Sequence, residues 1–322
     1  MENIKKILFF VLLALLILGS GNWFLYRAMK DRNDKVLNRN GVEAQLRNER
    51  ENTIDILSLG DSEGFSSLSP MQMWNDKGYT VFNASQIGQT PIDEYSMLEV
   101  TLERQQPKVL IIETNAIFQG GATLNTAFTT FMNQRLHLFR FHNEWKDLTG
   151  LEYSQTAMYN GFAIRPDIVP YTGDTNYMES NDAPVDVGTL NQFYLNLIRK
   201  KCEKEGISLI LYSVPSPTNY TMSKHNWMQA YADQYNIPYI DFNLLTDEIG
   251  LDWSRESLDG GDHVNISGAQ KITAYLESYL EEHYQLTDHR TDSGEYVEEW
   301  NAEAAEYQAY AEPEIEKIRG EN

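Results

Sequence analysis

Cysteine is almost absent from this sequence: Cys202 is the only one in 322 residues. No disulfide can therefore close within the chain, no multi-cysteine zinc site can form, and redox compartment is not readable from cysteine pairing. Basic residues are also scarce, with 26 Lys+Arg against 47 Asp+Glu and a formal charge of −21. Binding to phosphate backbones needs clustered cations, so a nucleic-acid partner is excluded as a leading reading. Internal repeats are missing as well. What is present is a hydrophobic content of 42% with 12% aromatics, ample for a folded core of one large or two small domains and too much for a disordered polyelectrolyte.

The start of the chain is a localising signal. Lys5 and Lys6 precede the apolar run Ile7–Leu18, and the aromatics Trp23, Phe24 and Tyr26 follow it. At ~1.5 Å per residue the stretch from Ile7 to Tyr26 spans roughly 30 Å, about one hydrocarbon core. An A-x-A exit is lacking and aromatics suited to a headgroup belt stand in its place, so residues 1–26 read as an uncleaved single-pass anchor, with a cleaved signal peptide as the alternative. Arg27, Lys30, Arg32 and Lys35 on the far side compete with Lys5 and Lys6, so charge alone does not orient the span.

Residues 27–52 are polar and charged and read as a helical or flexible stalk, a linker outside the core. From residue 53 to 286 short apolar runs alternate with amphipathic stretches. Strands are expected at Ile54–Leu59, Tyr79–Asn83, Lys108–Glu113, Ser208–Val214 and Tyr239–Phe242. Helices are expected at Pro70–Lys77, Pro91–Arg104, Thr189–Lys204, Lys224–Tyr235 and Ser267–His283. Such alternation predicts an α/β domain with a mostly parallel, doubly wound sheet and with functional residues at the carboxyl ends of its strands. An insertion at 118–187 interrupts the pattern. Residues 287–322 form an acidic tail, with 11 acidic and 3 basic residues from Asp288 onward, expected to be solvated and mobile rather than helical.

Two segments carry chemistry. The apolar run Ile56–Leu59 stops at Gly60-Asp61-Ser62-Glu63-Gly64, which places Ser62 just past a strand, where a hydroxyl is exposed and backbone N–H groups lie close by. Formally this matches the G-x-S-x-G turn of α/β-hydrolases, but that fold needs several strands ahead of the serine and only the stalk precedes it here. Near the other end, Leu258-Asp259-Gly260-Gly261-Asp262-His263-Val264-Asn265-Ile266-Ser267-Gly268 offers a histidine flanked by carboxylates and leading into a helix, with Ser267 as a candidate N-cap. His263 could accept a serine proton while an acid orients its other nitrogen. Asp259 is the preferred acid and Asp262 the alternative. No second His or Cys stands at ligand spacing, so no metal is assigned, and no cofactor is called for.

Taken together, these segments resemble the SGNH (GDSL-type) hydrolase and acyltransferase superfamily. Asn83-Ala84-Ser85-Gln86-Ile87-Gly88 is similar to its second block, and Lys108–Ile112 followed by Glu113-Thr114-Asn115 to its third. The resemblance implies a flavodoxin-like three-layer sandwich around a five-stranded, mostly parallel sheet. It further implies a Ser62–His263–Asp259 triad and an oxyanion hole made by the Ser62 N–H, the Gly88 N–H and the Asn115 amide. Glu113 and Ala116 depart from the usual Gly and Asp of block three, and the acid stands four residues before the histidine instead of three. A single span ahead of such a domain resembles the bacterial envelope group of D-alanyl transfer and polysaccharide O-acetylation proteins. That likeness implies an extracytoplasmic O-acyltransferase or esterase on the cell membrane, acting on a cell-surface polysaccharide or teichoic-acid-like substrate, with a membrane-bound O-acyltransferase as a possible partner. The rival implication is a non-catalytic polysaccharide-binding or scaffold module. His142 and Trp145 are candidate substrate contacts, and Tyr153, Tyr171 and Trp227 further candidates for stacking on sugar rings.

Overall fold

The computed structural model describes residues 2–29, 39–120, 123–140, 158–179 and 184–321. In chain order the elements are α1 (Glu2–Met29), α2 (Arg39–Asn48), β1 (Ile56–Leu59), α3 (Ser62–Ser67), α4 (Pro70–Lys77), β2 (Val81–Asn83), α5 (Pro91–Leu102), β3 (Val109–Glu113) and α6 (Asn115–Phe118). There follow α7 (Leu124–Arg135), α8 (His137–Arg140), the short hairpin β4 (Met158–Tyr159) and β5 (Phe162–Ala163), α9 (Thr189–Glu205) and β6 (Ser208–Ser213). The chain then runs through α10 (Met222–Tyr235), β7 (Tyr239–Asp241), α11 (Ile266–His283) and α12 (Glu295–Arg319).

Strands of the main sheet are all parallel and ordered β2-β1-β3-β6-β7. Counting those five alone, this is the flavodoxin-like 2-1-3-4-5 arrangement. The pleat sends alternate residues to opposite faces. Ile56, Val109, Ile111, Ile210 and Tyr212 enter one core with residues of α4, α11 and α12. Leu57, Leu59, Leu110, Ile112, Leu209 and Leu211 enter the other with residues of α2, α5, α9 and α10. Three layers result, and both faces of the sheet are covered, which is why its strands read as continuous apolar runs.

Local sequence explains the boundaries. The Ser69 side chain accepts from the Gln72 N–H, Pro70 occupies the first helical turn, and Gly78 closes α4 in a left-handed conformation, so both ends fall where capping chemistry puts them. The strands are one or two residues shorter than the apolar runs that announce them, because the flanking apolar residues continue into turns.

Two expectations need correction. The stretch 27–52 is not wholly a linker: α2 lies within it, and its Val42 and Leu46 are buried in the second core. The acidic tail is not a solvated mobile segment either. Val297, Trp300, Ala304, Tyr307, Ala311, Ile315 and Ile318 recur every three or four residues, form one stripe of α12, and are all buried. Trp300 sits 5.2 Å from Trp74, ring centre to ring centre, and Trp74 Nε1 donates to Asn301 Oδ1 at 3.0 Å. The acids occupy the rest of the helix surface, so composition concealed a pattern that burial rewards.

Helix α1 passes by length and composition as a membrane span, and its apolar side chains are exposed along Ile4–Leu18. Its carboxyl-terminal part meets α8: Asn22 Oδ1 accepts from the Leu138 N–H at 3.2 Å, and the Tyr26 and His137 rings lie 4.8 Å apart.

Candidate active site

Open α/β sheets bind ligands outside the carboxyl ends of their strands, at the point where strand order reverses. Here that point lies between β1 and β3. The chain leaves β1 as Gly60-Asp61-Ser62, β2 as the loop to Gly88, and β3 as Thr114-Asn115, so three segments marked from sequence emerge side by side. Backbone bonds tie them together: Gln86 N donates to Gly60 O at 3.0 Å, and Ala84 N to Ser58 O at 2.8 Å. Close approach explains the glycines of the first segment. A Cβ on Gly60 would lie 2.6 Å from Glu113 Cβ, and one on Gly64 would lie 2.8 Å from Ser85 Oγ and 2.9 Å from Glu113 Cβ. Ser62, partly exposed, is the first residue of α3, which Asp61 caps by accepting from the Glu63 N–H at 3.0 Å.

Beneath Ser62 lies a polar network. Asp61 Oδ2 accepts from Asn115 Nδ2 and from Gln119 Nε2, each at 3.1 Å. Lys224 Nζ donates to Asn115 Oδ1 at 3.2 Å. An ammonium only donates, so this contact fixes which end of the Asn115 amide is oxygen. Both Glu113 oxygens accept from the Asn115 N–H at 3.0 Å. Asn219 Nδ2 donates both to Glu63 Oε1 at 3.2 Å and to Asp262 Oδ1, bridging the residue after Ser62 to the residue before His263.

Burial sets the charges. It pushes the Glu63 and Glu113 carboxyls well above the ordinary range, and the neighbouring Asp61 charge adds to the rise in both. Asp61 is raised too, by burial, against the Glu63 N–H and the charge of His263, which pull it down. Lys224 is lowered by burial, opposed by Glu63, Glu113 and Asp61.

The histidine arrives from the loop before α11. Gly260 and Gly261 adopt φ of 86° and 102°, a region that side chains disfavour, and the loop folds back so that Asp259 reaches the ring. Asp259 Oδ2 lies 2.6 Å from His263 Nδ1, and its Oδ1 accepts from the His263 N–H at 2.8 Å. Asp262 Oδ2 stands farther from the same ring nitrogen, at 3.5 Å. His263 Nε2 is buried and has no hydrogen-bond partner. Asp259, Asp262 and His263 are the group whose donor atoms converge enough to invite a metal among the described residues. Ligands ~2.1 Å from a tetrahedral ion stand about 3.4 Å apart, so the 2.6 Å contact is a hydrogen bond instead.

A segment of the insertion braces this loop. Gly260 N donates to Val169 O at 2.9 Å, Ile266 N to Arg165 O at 3.0 Å and Tyr171 N to Trp253 O at 3.0 Å, while Arg165 Nη1 reaches across to α3, donating to Ser66 Oγ at 2.8 Å. The N-cap of α11 is Asn265, whose side chain accepts from the Ser267 and Gly268 N–H groups. Ser267, expected there, donates instead to Glu256 Oε1 at 2.7 Å.

Of the residues marked from sequence, Asp259 and His263 are in direct contact. Asn115 touches the Asp61 that precedes Ser62, and Gly88 lies exposed on the loop held against Gly60. Tyr171 packs against Trp253, and Trp227 stacks on Tyr231 and meets Phe118. His142, Trp145 and Tyr153 lie outside the described residues. Sequence reading missed Lys224, Asn219, Gln119 and Arg165, which stand in no spacing that would have marked them.

No protein-family model and no curated protein matches the chain. Among solved structures it is similar to a lipase/acylhydrolase from Enterococcus faecalis, at 14% identity and a TM-score of 0.40 over 73% of this chain and 99% of that one. It is also similar to the acetyl xylan esterase AlAXEase, at 15% identity and a TM-score of 0.39 over 70% of this chain and 100% of the other. A GDSL-like lipase from Bacteroides thetaiotaomicron is a third, at 13% identity and a TM-score of 0.36 over 70% of this chain and 87% of its own.

Proposed function

We propose that the chain is a membrane-anchored, extracytoplasmic serine esterase or O-acyltransferase that acts on ester-linked acyl groups of a cell-surface glycopolymer. One observation carries the reading: the His263 ring has Nδ1 engaged by Asp259 at 2.6 Å while Nε2 is buried and unpartnered. A buried ring nitrogen without a partner is costly, and general-base chemistry explains why it is kept. In this reading Ser62 Oγ attacks the ester carbonyl carbon as its proton passes to His263 Nε2, and Asp259 holds the imidazolium. The tetrahedral oxyanion is met by the Ser62 N–H, the Gly88 N–H and the amide hydrogen of Asn115 not donated to Asp61. Collapse expels the alcohol, which takes the proton back from His263. Water or a sugar hydroxyl then attacks the acyl-serine with the same base, giving hydrolysis or transfer. A membrane-bound O-acyltransferase is the partner this reading assigns as acyl supplier.

The non-catalytic alternative, a polysaccharide-binding or scaffold module, draws on Asn115, whose amide is tied at both ends to Asp61 and Lys224. A serine-directed fluorophosphonate separates the two. Labelling of the intact chain is expected, with loss in Ser62→Ala and in His263→Ala. Failure of the folded wild type to label favours the scaffold, and equal labelling of Ser62→Ala removes Ser62 as nucleophile.

A further inference from the structure

Helix α7 has its two faces the wrong way round for a soluble domain. Successive residues of a helix turn by ~100°, so Leu124, Phe128 and Phe131 form one narrow stripe, and they are 78%, 61% and 53% exposed. Thr126, Thr129, Thr130 and Asn133 lie on the opposite side, where with Gln86 and Gln89 they line a polar cavity of about 190 Å³. The polar face looks inward and the apolar face outward. Arg135 continues the outer stripe, its guanidinium 5.4 Å from the centre of the Phe131 ring.

Two further observations say what covers that stripe. The first is continuity with α1: α8, joined to α7 by Leu136 alone, packs on α1 at Gly21, Asn22 and Tyr26. These residues stand among Trp23 and Phe24, themselves 62% and 65% exposed, where a span meets the headgroup layer. The second is charge. Residues 114–143 contain no Asp or Glu in a chain that carries 47 of them, so the segment brings no charge of its own to repel anionic lipid, and the outer stripe of α7 ends on the cation of Arg135.

We infer that α7 is an interfacial helix, its Leu124–Phe128–Phe131 face embedded in the outer edge of the bilayer that α1 crosses. This rests on the reading of α1 as a span. The polar cavity on the other face of α7, beside the Gly88 loop, is thereby held at membrane level, where a lipid-linked or surface-attached polymer presents its hydroxyls.

The test uses the full chain reconstituted in phosphatidylcholine–phosphatidylglycerol vesicles that contain nitroxide-labelled lipid. Cys202 is buried and its thiol is pushed up to about 12, so a bimane reagent reads cysteines introduced singly as Leu16→Cys, Phe128→Cys, Phe131→Cys and, as the exposed control on α11, Ser278→Cys. Shallow nitroxides are expected to quench bimane at 128 and 131, deep nitroxides at 16, and neither at 278. Quenching at 16 with none at 128 or 131 overturns the inference and leaves the anchor intact. No quenching at 16 removes the anchor, and the inference with it. The double variant Phe128→Ser/Phe131→Ser, labelled at Thr129→Cys, checks that the apolar face seats the helix: loss of residual quenching supports it, and unchanged quenching counts against it.

Discussion

Helices α1 and α12 stand at opposite ends of the chain with 28 and 25 residues, and they invert each other. The first is apolar almost throughout and exposes nearly all of that surface, with Phe10 and Leu16 67% and 69% exposed. The second is dense in glutamate, yet its seven apolar residues from Val297 to Ile318 are buried to 6% or less. Mean composition therefore ranks the two wrongly as contributors to the core. What decides is whether apolar residues fall in a stripe narrow enough for one partner surface, as in α12, or cover the whole circumference, which no single protein face can bury.

Removing each helix is the strongest way to break that contrast. Deleting residues 287–322 strips Trp300 from Trp74 and Tyr307 from Tyr159 in the first core, and the expected product shows no cooperative thermal transition. Deleting residues 1–18, the exposed apolar part of α1, is expected to leave the melting temperature of the domain where it was, measured in the same detergent. A truncated protein without α12 that still melts sharply within a few degrees of the parent would abolish the distinction. A smaller effect of the same kind comes from single side chains. Trp300→Ala opens a cavity beside Trp74 and should cost about 3–5 kcal/mol by denaturant titration, whereas Leu16→Ala should change nothing in the same assay.

The contrast also explains what could be read in advance. The five main strands were legible to within two residues, because sheet residues covered on both faces form short, dense apolar runs such as Val109–Ile112. Helix α4 was legible at both ends because Ser69, Pro70 and Gly78 each act locally. The Ser62 turn and the Asp259–His263 loop announced themselves by residue type. Helix α12 was not legible, since its eight acids masked the apolar stripe, and of α2 the helical tendency was legible but not its place in the core, which rests on Val42 and Leu46. Within the site, Lys224 and Asn219 were invisible for a different reason. Their contacts, to Asn115 Oδ1 and to Glu63 and Asp262, cross 109, 156 and 43 positions of sequence, and only the fold brings them near.

The smallest expected effect sharpens the comparison from the charged side of α12. Glu49, just past α2, and Glu303, on α12, are both pushed up to about 7: burial is the main cause for each, and each also faces another acid, Glu303 and Glu299 around Glu49, and Glu306 beside Glu303. Arg50 pairs with Glu295 and Glu299 at 2.9 and 2.8 Å, which neutralises the outer carboxylates but leaves Glu49 and Glu303 opposed. In the unfolded chain both ionise near the ordinary ~4.3, so between that value and about 7 the folded state holds more protons. Stability must then fall as pH rises through this window, opposite in sign to an ion-paired carboxylate. Glu303→Gln keeps an oxygen for the Asn160 N–H, which Glu303 Oε1 accepts at 3.0 Å, and removes the titration. The Tm difference between pH 5.5 and pH 8 should therefore shrink in Glu303→Gln and shrink further with Glu49→Gln, while control variants of solvated acids such as Glu312→Gln leave it unchanged. Other raised acids such as Glu277 keep part of the slope, so the informative outcome is the change: a pH slope left unaltered by both substitutions would mean that Glu49 and Glu303 are as well solvated as the other acids of this surface.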